Sequence, residues 1–245
     1  MGWDDFDPRP IARDFWGRSG FKRPVPERIE EAISLGLPVA TIRLPKLTIV
    51  SIRDWLESIG ATWYISVANR PLQGCLLAQR GHGLIFISGA LSYEESRFTL
   101  AHEAAHFLYH YIVPREKAIA SMGQSIVPVL DGDRPQTSAE RLSGVLRGIP
   151  IGTYQHLLDR EAGTNRSIEI DLIEAEADLI AMELLAPASD VAGSVSPGSD
   201  CFQYLTEKLS LPKWAAETWH SRIDSMRSRR GFMDSIREIA RKLDK

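Results

Sequence analysis

The chain has 245 residues, of which 44% are hydrophobic and 25% are charged, a composition typical of a globular protein with a sizeable core. Its formal net charge of −3 excludes a general electrostatic attraction to nucleic acid, so direct binding of nucleic acid is not expected. No run of 18 apolar residues is present, so no membrane-spanning helix is expected, and the acidic first residues do not predict a signal peptide.

The two cysteines, Cys75 and Cys201, are far apart and do not form a CxxC pair. Two cysteines that are far apart in the sequence favour a reduced protein in the cytoplasm over a disulfide-linked one.

Residues 1–38 are predicted to form an N-terminal arm with one helix. The opening stretch is rich in proline, arginine and aromatic residues, which predicts an irregular course. A helix is predicted at Pro26–Leu35, because Pro26 suits a first turn and Gly36 follows the last one.

Residues 39–190 are predicted to form the main domain. A helix is expected at Thr48–Ile59, where apolar residues share one face. Turn residues then separate three β-rich runs, which predict a small antiparallel sheet. These runs are Thr62–Val67, Cys75–Ala78 and Leu84–Ser88.

The next predicted helix begins at a capping box formed by Ser92 and Glu95 and ends near Tyr111, before Pro114. Residues 112–166 lack a single pattern. Within them, a capping box at Thr137 predicts a helix to about Arg147, and a shorter helix is predicted at Gly152–Arg160. A long helix is predicted at Ser167–Leu185, and residues 191–245 are predicted to be a helical C-terminal region with a basic last helix.

The helix after Ser92 carries the sequence His102-Glu103-Ala104-Ala105-His106. Histidines four residues apart lie on one face of a helix, so both imidazoles can bind one metal ion. Glu103 is then placed to accept a proton from a water molecule that the ion activates. The pattern predicts a catalytic zinc site, with one Zn²⁺ per chain and a third protein ligand from elsewhere. A helix with two histidines of purely structural use is the alternative.

The third ligand is expected in the segment 174–178. Glu174 and Asp178 share a helix face, which suits a metal ligand and a carboxylate that orients a ligand histidine. Glu176 is a second candidate ligand, although it lies roughly opposite on the helix, and a solvated helix face remains the alternative for each acid. His110, one turn after His106, could approach the substrate, support a ligand, or simply pack or be solvated.

The sequence FTLAHEAAH at residues 98–106, followed by His110, resembles the ImmA/IrrE metallopeptidases. The sequence EAEADLIAMELLAP at residues 174–187 is similar to the second conserved block of that family, with Asp178 where asparagine is commoner. The gap between the two blocks is longer than the family pattern implies, so residues 112–166 are interpreted as an insertion.

The resemblance implies an α+β, gluzincin-like fold. In this fold a small antiparallel sheet packs on the HExxH helix and on a second, ligand-bearing helix, with a helical insertion and a helical C-terminal region added. It also implies His102, His106 and Glu174 as metal ligands, Glu103 as the catalytic base, and a bacterial regulator or repressor as protein substrate. A substrate peptide is expected to add as a strand to Leu84–Ser88. The alternative function is a non-cleaving or latent regulatory module that retains its metal site.

Overall fold

The computed structural model describes residues 6–61, 68–147, 154–158, 168–195 and 200–226. Its helices, in chain order, are α1 (Arg9–Arg18), α2 (Ile29–Gly36), α3 (Ile49–Ser58), α4 (Tyr93–Ala105), α5 (Val113–Met122), α6 (Val127–Leu130), α7 (Ser138–Arg147), α8 (Ile168–Leu185), α9 (Ala188–Ser194), α10 (Cys201–Gln203) and α11 (residues 213–226). Its strands are β1 (Val39–Leu44), β2 (Gly74–Gln79), β3 (His82–Ser88) and β4 (Tyr154–Leu158). Two π-helical segments, His106–Ile112 and Tyr204–Lys208, continue α4 and α10. The predicted α+β class and helical C-terminal region are confirmed.

The sheet has the strand order β1-β3-β2-β4. β2 pairs antiparallel with β3 and β4, whereas β1 pairs parallel with β3. The prediction of a purely antiparallel sheet is therefore wrong. Strand β1, which is half-exposed, was not predicted. Helix α3 follows β1 and forms part of the crossover connection that a parallel pair requires. The run Thr62–Val67 lies outside the described residues.

Residues 112–166, which are predicted to be an insertion, contain β4, a strand at the edge of this sheet. Leu158 lies opposite Gly74, and Tyr154 lies opposite Ala78. The helix predicted at Gly152–Arg160 is therefore wrong, because pairing with the backbone groups at the edge of β2 overrides local helix propensity. β3 lies between β1 and β2, so the prediction that a substrate strand adds to Leu84–Ser88 is also wrong.

The two faces of the sheet pack against different helices. Alternate residues of β2 and β3 on one face join the main core with α4 and α8, and those on the other face pack against α3. The first set is Leu76, Ala78, Ile85 and Ile87, and the second is Cys75, Leu77 and Phe86. Burial that alternates with a period of two is typical of strands that are covered on both faces. On the face of the main core, α4 lies over the first part of β2.

The N-terminal segment forms helix α1, which corrects the prediction of an irregular opening stretch. Ala12, Phe15 and Trp16 are buried on one face of this helix. Prolines at its cap and in its first turn do not disrupt it, because N–H groups there have no partner within the helix. The arm therefore packs on the domain: Arg18 pairs with Glu116 of α5 through two hydrogen bonds of 2.8 Å.

Most other helix predictions are confirmed, including α2, α3, α7 and α8. The helix after Ser92 is longer than predicted, because the chain passes through the π-helical segment into α5. Pro114 lies in the first turn of α5, where a proline is tolerated.

The C-terminal helix α11 is attached to the end of α8. Trp219 is fully buried, and its indole N–H donates to the carbonyl of Ala186 at 2.8 Å. Arg97 of α4 donates to the carbonyls of Leu209 and Pro26, which joins the N-terminal and C-terminal segments to this helix. Within the described part of the chain, no helix is both long and apolar enough to cross a membrane.

Glu183, near the end of α8, makes stability depend on pH. Burial raises the pKa of its carboxyl group to about 7, although the N–H of Ala188 and the charge of Arg9 act in the opposite direction. The folded protein thus holds this proton more tightly than the unfolded chain, whose pKa is near 4.5. The contribution of Glu183 to stability is therefore greatest below pH 4.5 and decreases as the pH rises through about 7.

The Glu183→Gln variant is expected to lose this pH dependence, because the amide is neutral and its oxygen can still accept from Ala188. At pH 8 the variant is expected to be more stable than the wild type by up to about 3 kcal/mol, and at pH 4 the two are expected to converge. Urea unfolding at several pH values measures the difference. A constant difference across this range would contradict the assignment.

Candidate metal centre

The HExxH residues lie at the buried end of α4. The hydroxyl of Ser92 accepts the N–H of Glu95 and begins the helix, and the last two turns lie between the sheet and α8. His102, Glu103 and His106 are each at most 1% exposed. The two histidines are one turn apart, as predicted, and their Nε2 atoms face each other at 2.9 Å.

Helix α8 brings Glu174 to the two histidines. Its Oε2 lies 3.5 Å from His102 Nε2, and its Oε1 lies 4.0 Å from His106 Nε2. Ligand atoms of the three residues all lie within 4.8 Å of one another. The sequence left the choice between Glu174 and Glu176 open, and the structure brings Glu174 to the cluster.

Asp178 lies one turn after Glu174 and holds His102 from the other side of the ring. His102 Nδ1 and Asp178 Oδ1 are 2.8 Å apart, so a proton on Nδ1 is donated to the carboxylate and Nε2 faces the cluster. Burial acts to lower the pKa of His102, but the hydrogen bonds with Asp178 and Glu174 outweigh it and raise the pKa to about 9. The acids therefore favour positive charge at this position.

Glu103 lies on the sheet side of α4, beside the start of β2. Its carboxylate is fully buried and close enough to Cys75 to add to the effect of burial, so both raise the pKa of the Cys75 thiol. That thiol stays protonated at neutral pH and is a packing residue. The Glu103 carboxylate is also close enough to His102 for its charge to raise the pKa of that imidazole, which suits the predicted role of a general base.

Gly74 gives the Glu103 carboxylate its space. A Cβ atom at residue 74 would lie 2.5 Å from Glu103 Oε1 and 2.6 Å from Thr99 Cγ2. Cβ atoms in proteins almost never make contacts this short, so a larger residue must move Glu103, Thr99 or the strand. Glycine thus lets β2 lie close to α4.

The Gly74→Ala variant is expected to lose about 1 to 3 kcal/mol of stability and to displace Glu103. Gly17→Ala in α1 is a matched control, because no atom lies within 4 Å of its added Cβ and alanine favours a helix. Thermal unfolding of both variants measures the difference. Equal melting temperatures would contradict the close packing of β2 on Glu103.

His110 and Glu176 extend the site beyond the residues that the sequence singled out as ligands and base. His110 Nδ1 lies 3.0 Å from His106 Nδ1, and His110 Nε2 lies 3.2 Å from Glu176 Oε2. Glu176 was expected to lie opposite the metal, and it instead contacts a histidine that contacts a potential ligand. The spacing of His106 and His110 was the available signal for this contact.

The donor set suits a divalent transition metal. Two imidazole nitrogens and one carboxylate oxygen converge, Asp178 orients one ring, and the local charge favours a cation. Two histidines and a glutamate form a known ligand set of catalytic zinc, and the same set can also hold other divalent ions.

Residues 64–126 match the family model described as the IrrE N-terminal-like domain, Peptidase_M78. This match confirms the resemblance to the ImmA/IrrE-like metallopeptidases and supports a metallopeptidase-type function. The matched stretch contains the HExxH sequence, whereas Glu174 lies after it. No curated protein matches the chain.

Proposed function

We propose that this peptidase-family chain is a zinc-dependent metallo-endopeptidase that hydrolyses a peptide bond in a specific partner protein. The observation that carries the proposal is the convergence of His102, His106 and Glu174 beside the buried carboxylate of Glu103. A purely structural role does not explain why a helix buries two imidazoles and a carboxylate at its contact with two further acids.

His102, His106 and Glu174 are the ligands in this proposal, and one zinc ion binds per chain. When bound, zinc supplies the Lewis acidity that amide hydrolysis requires. Glu103 accepts a proton from the attacking water and returns it to the leaving amine. Asp178 holds the ring of His102 so that Nε2 faces the ion.

The substrate in this proposal is a transcriptional regulator or repressor, as the family resemblance implies. We also propose a cytoplasmic location, which is supported by the small number of cysteines and by the distance between Cys75 and Cys201 in the sequence. The formal net charge of −3 does not favour nucleic acid as a partner.

The experiment is to incubate the zinc-loaded protein with a proteome-derived peptide library and to identify new peptide ends by mass spectrometry. Cleavage within peptides, lost with a chelator and restored by zinc, is the expected result. Cleavage that persists in the chelator, or only trimming of chain ends, would contradict a zinc endopeptidase.

A latent form of the enzyme is the second candidate, and one observation favours it. β4, from the insertion, occupies the outer edge of β2, and Leu158 lies opposite the Gly74 that contacts Glu103. An extended substrate would need a sheet edge near this position. Replacing residues 154–158 by glycine and serine is expected to increase cleavage of short peptides if β4 blocks the site, and unchanged cleavage would contradict latency.

A further inference from the structure

A continuous chain of contacts leads from the potential ligand His106 to a second acid on α8. His106 Nδ1 is 3.0 Å from His110 Nδ1, and His110 Nε2 is 3.2 Å from Glu176 Oε2. The side chain of His110 is only 12% exposed, so it lies within the protein and not on a solvated face. Each ring nitrogen of His110 therefore has a specific neighbour.

A metal ion bound to His106 would fix the direction of every hydrogen bond in this chain. A neutral imidazole that binds the ion through Nε2 carries its proton on Nδ1, so His106 donates to His110 Nδ1. His110 then accepts at Nδ1 and carries its own proton on Nε2. That proton is donated to the carboxylate of Glu176, so all the donors and acceptors match.

We propose that His110 and Glu176 form a positioning arm for the ligand His106, an inference that rests on the proposed metal centre. His110 holds the ring of His106 with Nε2 facing the ion, and Glu176 holds the ring of His110. Asp178 performs the same task for His102 in a single step. Helix α8 thus supplies one ligand and both acids that orient the histidine ligands.

The helical winding of this region is consistent with the contact between His106 and His110. The helix changes from α-helical to π-helical winding at His106 and keeps it to Ile112. A π turn contains more residues than an α turn, so residues after His106 are rotated relative to a regular helix. The rings of His106 and His110, which are tilted by 39° and have centroids 4.9 Å apart, lie at this change.

The test is the zinc affinity of four single variants and of the double variant His110→Ala/Glu176→Gln, measured by competition with a chromophoric chelator. His110→Ala removes the acceptor, and His110→Asn keeps an acceptor oxygen at the position of Nδ1. Glu176→Gln weakens the last contact. His220→Ala is the matched control, because His220 also contacts a carboxylate, that of Asp224 at 3.4 Å, but lies on α11.

We expect His110→Ala to weaken zinc binding by about 10- to 100-fold and His110→Asn to recover most of the loss. Glu176→Gln is expected to weaken binding in the wild-type chain but to have no further effect on His110→Ala, because it acts through His110. In the cobalt-substituted protein, the visible absorption bands are expected to shift in His110→Ala and not in His220→Ala. Circular dichroism checks that each variant is folded.

Wild-type zinc affinity in a folded His110→Ala variant would overturn the arm while leaving the metal centre intact. Additive effects of the His110 and Glu176 substitutions would overturn the order of the contacts. A wild-type protein that binds no zinc after reconstitution would instead overturn the proposed function, and the arm with it. These outcomes are distinguishable without a peptide substrate.

Discussion

The Glu103→Gln variant is expected to lose peptide cleavage by about 100- to 10,000-fold and to keep its zinc. The amide has nearly the same shape as the carboxylate, so the space beside Gly74 stays filled. It cannot accept a proton from water, and this removes the base that the mechanism requires. Cleavage rate and bound zinc, measured on the same sample, check both parts of the expectation.

Glu94→Gln is the control for this substitution, because it makes the same chemical change in the first turn of α4. It is expected to leave both cleavage and zinc unchanged. Full activity in the Glu103→Gln variant would contradict Glu103 as the base. Loss of zinc together with activity would assign Glu103 a role in holding the site together.

The Glu174→Ala variant is expected to bind zinc more than about 100-fold more weakly than the wild type, because it removes a direct ligand and not only a supporting contact. Zinc binds the folded state, so it is expected to raise the melting temperature of the wild type and not that of the variant. Calorimetry with and without zinc measures both effects. Asp171→Asn, at an exposed position one turn earlier on α8, is the control.

Retention of zinc in Glu174→Ala would contradict this ligand set. If Glu176→Ala then lost the metal completely, Glu176 would be the third ligand. A partial loss in Glu176→Ala, smaller than that in Glu174→Ala, is the result that the geometry supports.

The local part of the site could be predicted from the sequence. Helix geometry alone determines the caps at Ser92 and Thr137. It also places residues four apart on one face, as with His102 and His106 and with Glu174 and Asp178. The structure brings the two histidines, Glu174 and Asp178 together. Their roles as ligands, base and orienting acid stay predictions until metal binding is measured.

Contacts between distant segments could not be predicted in the same way. The parallel pairing of β1 with β3 depends on a crossover, and β4 forms a strand because the edge of β2 is next to it. Likewise, the contact of Glu176 with His110 needs two helices in a particular rotation. Periodicity within one helix carries no information on that rotation.

The domain boundaries at residues 38, 112, 166 and 190 stay predictions. The family match includes the HExxH helix and ends at residue 126, so it covers only the start of the predicted insertion. Residues 227–245, which include most of the predicted basic last helix, lie outside the described residues.

The metal centre is tested most directly by the zinc stoichiometry of the reconstituted wild-type protein, combined with X-ray absorption at the zinc edge. We expect one zinc per chain, with two imidazole nitrogens at about 2.0 to 2.1 Å and carboxylate or water oxygens completing the shell. No retained zinc, or a coordination shell without imidazole nitrogen, would contradict a metal centre built from His102, His106 and Glu174.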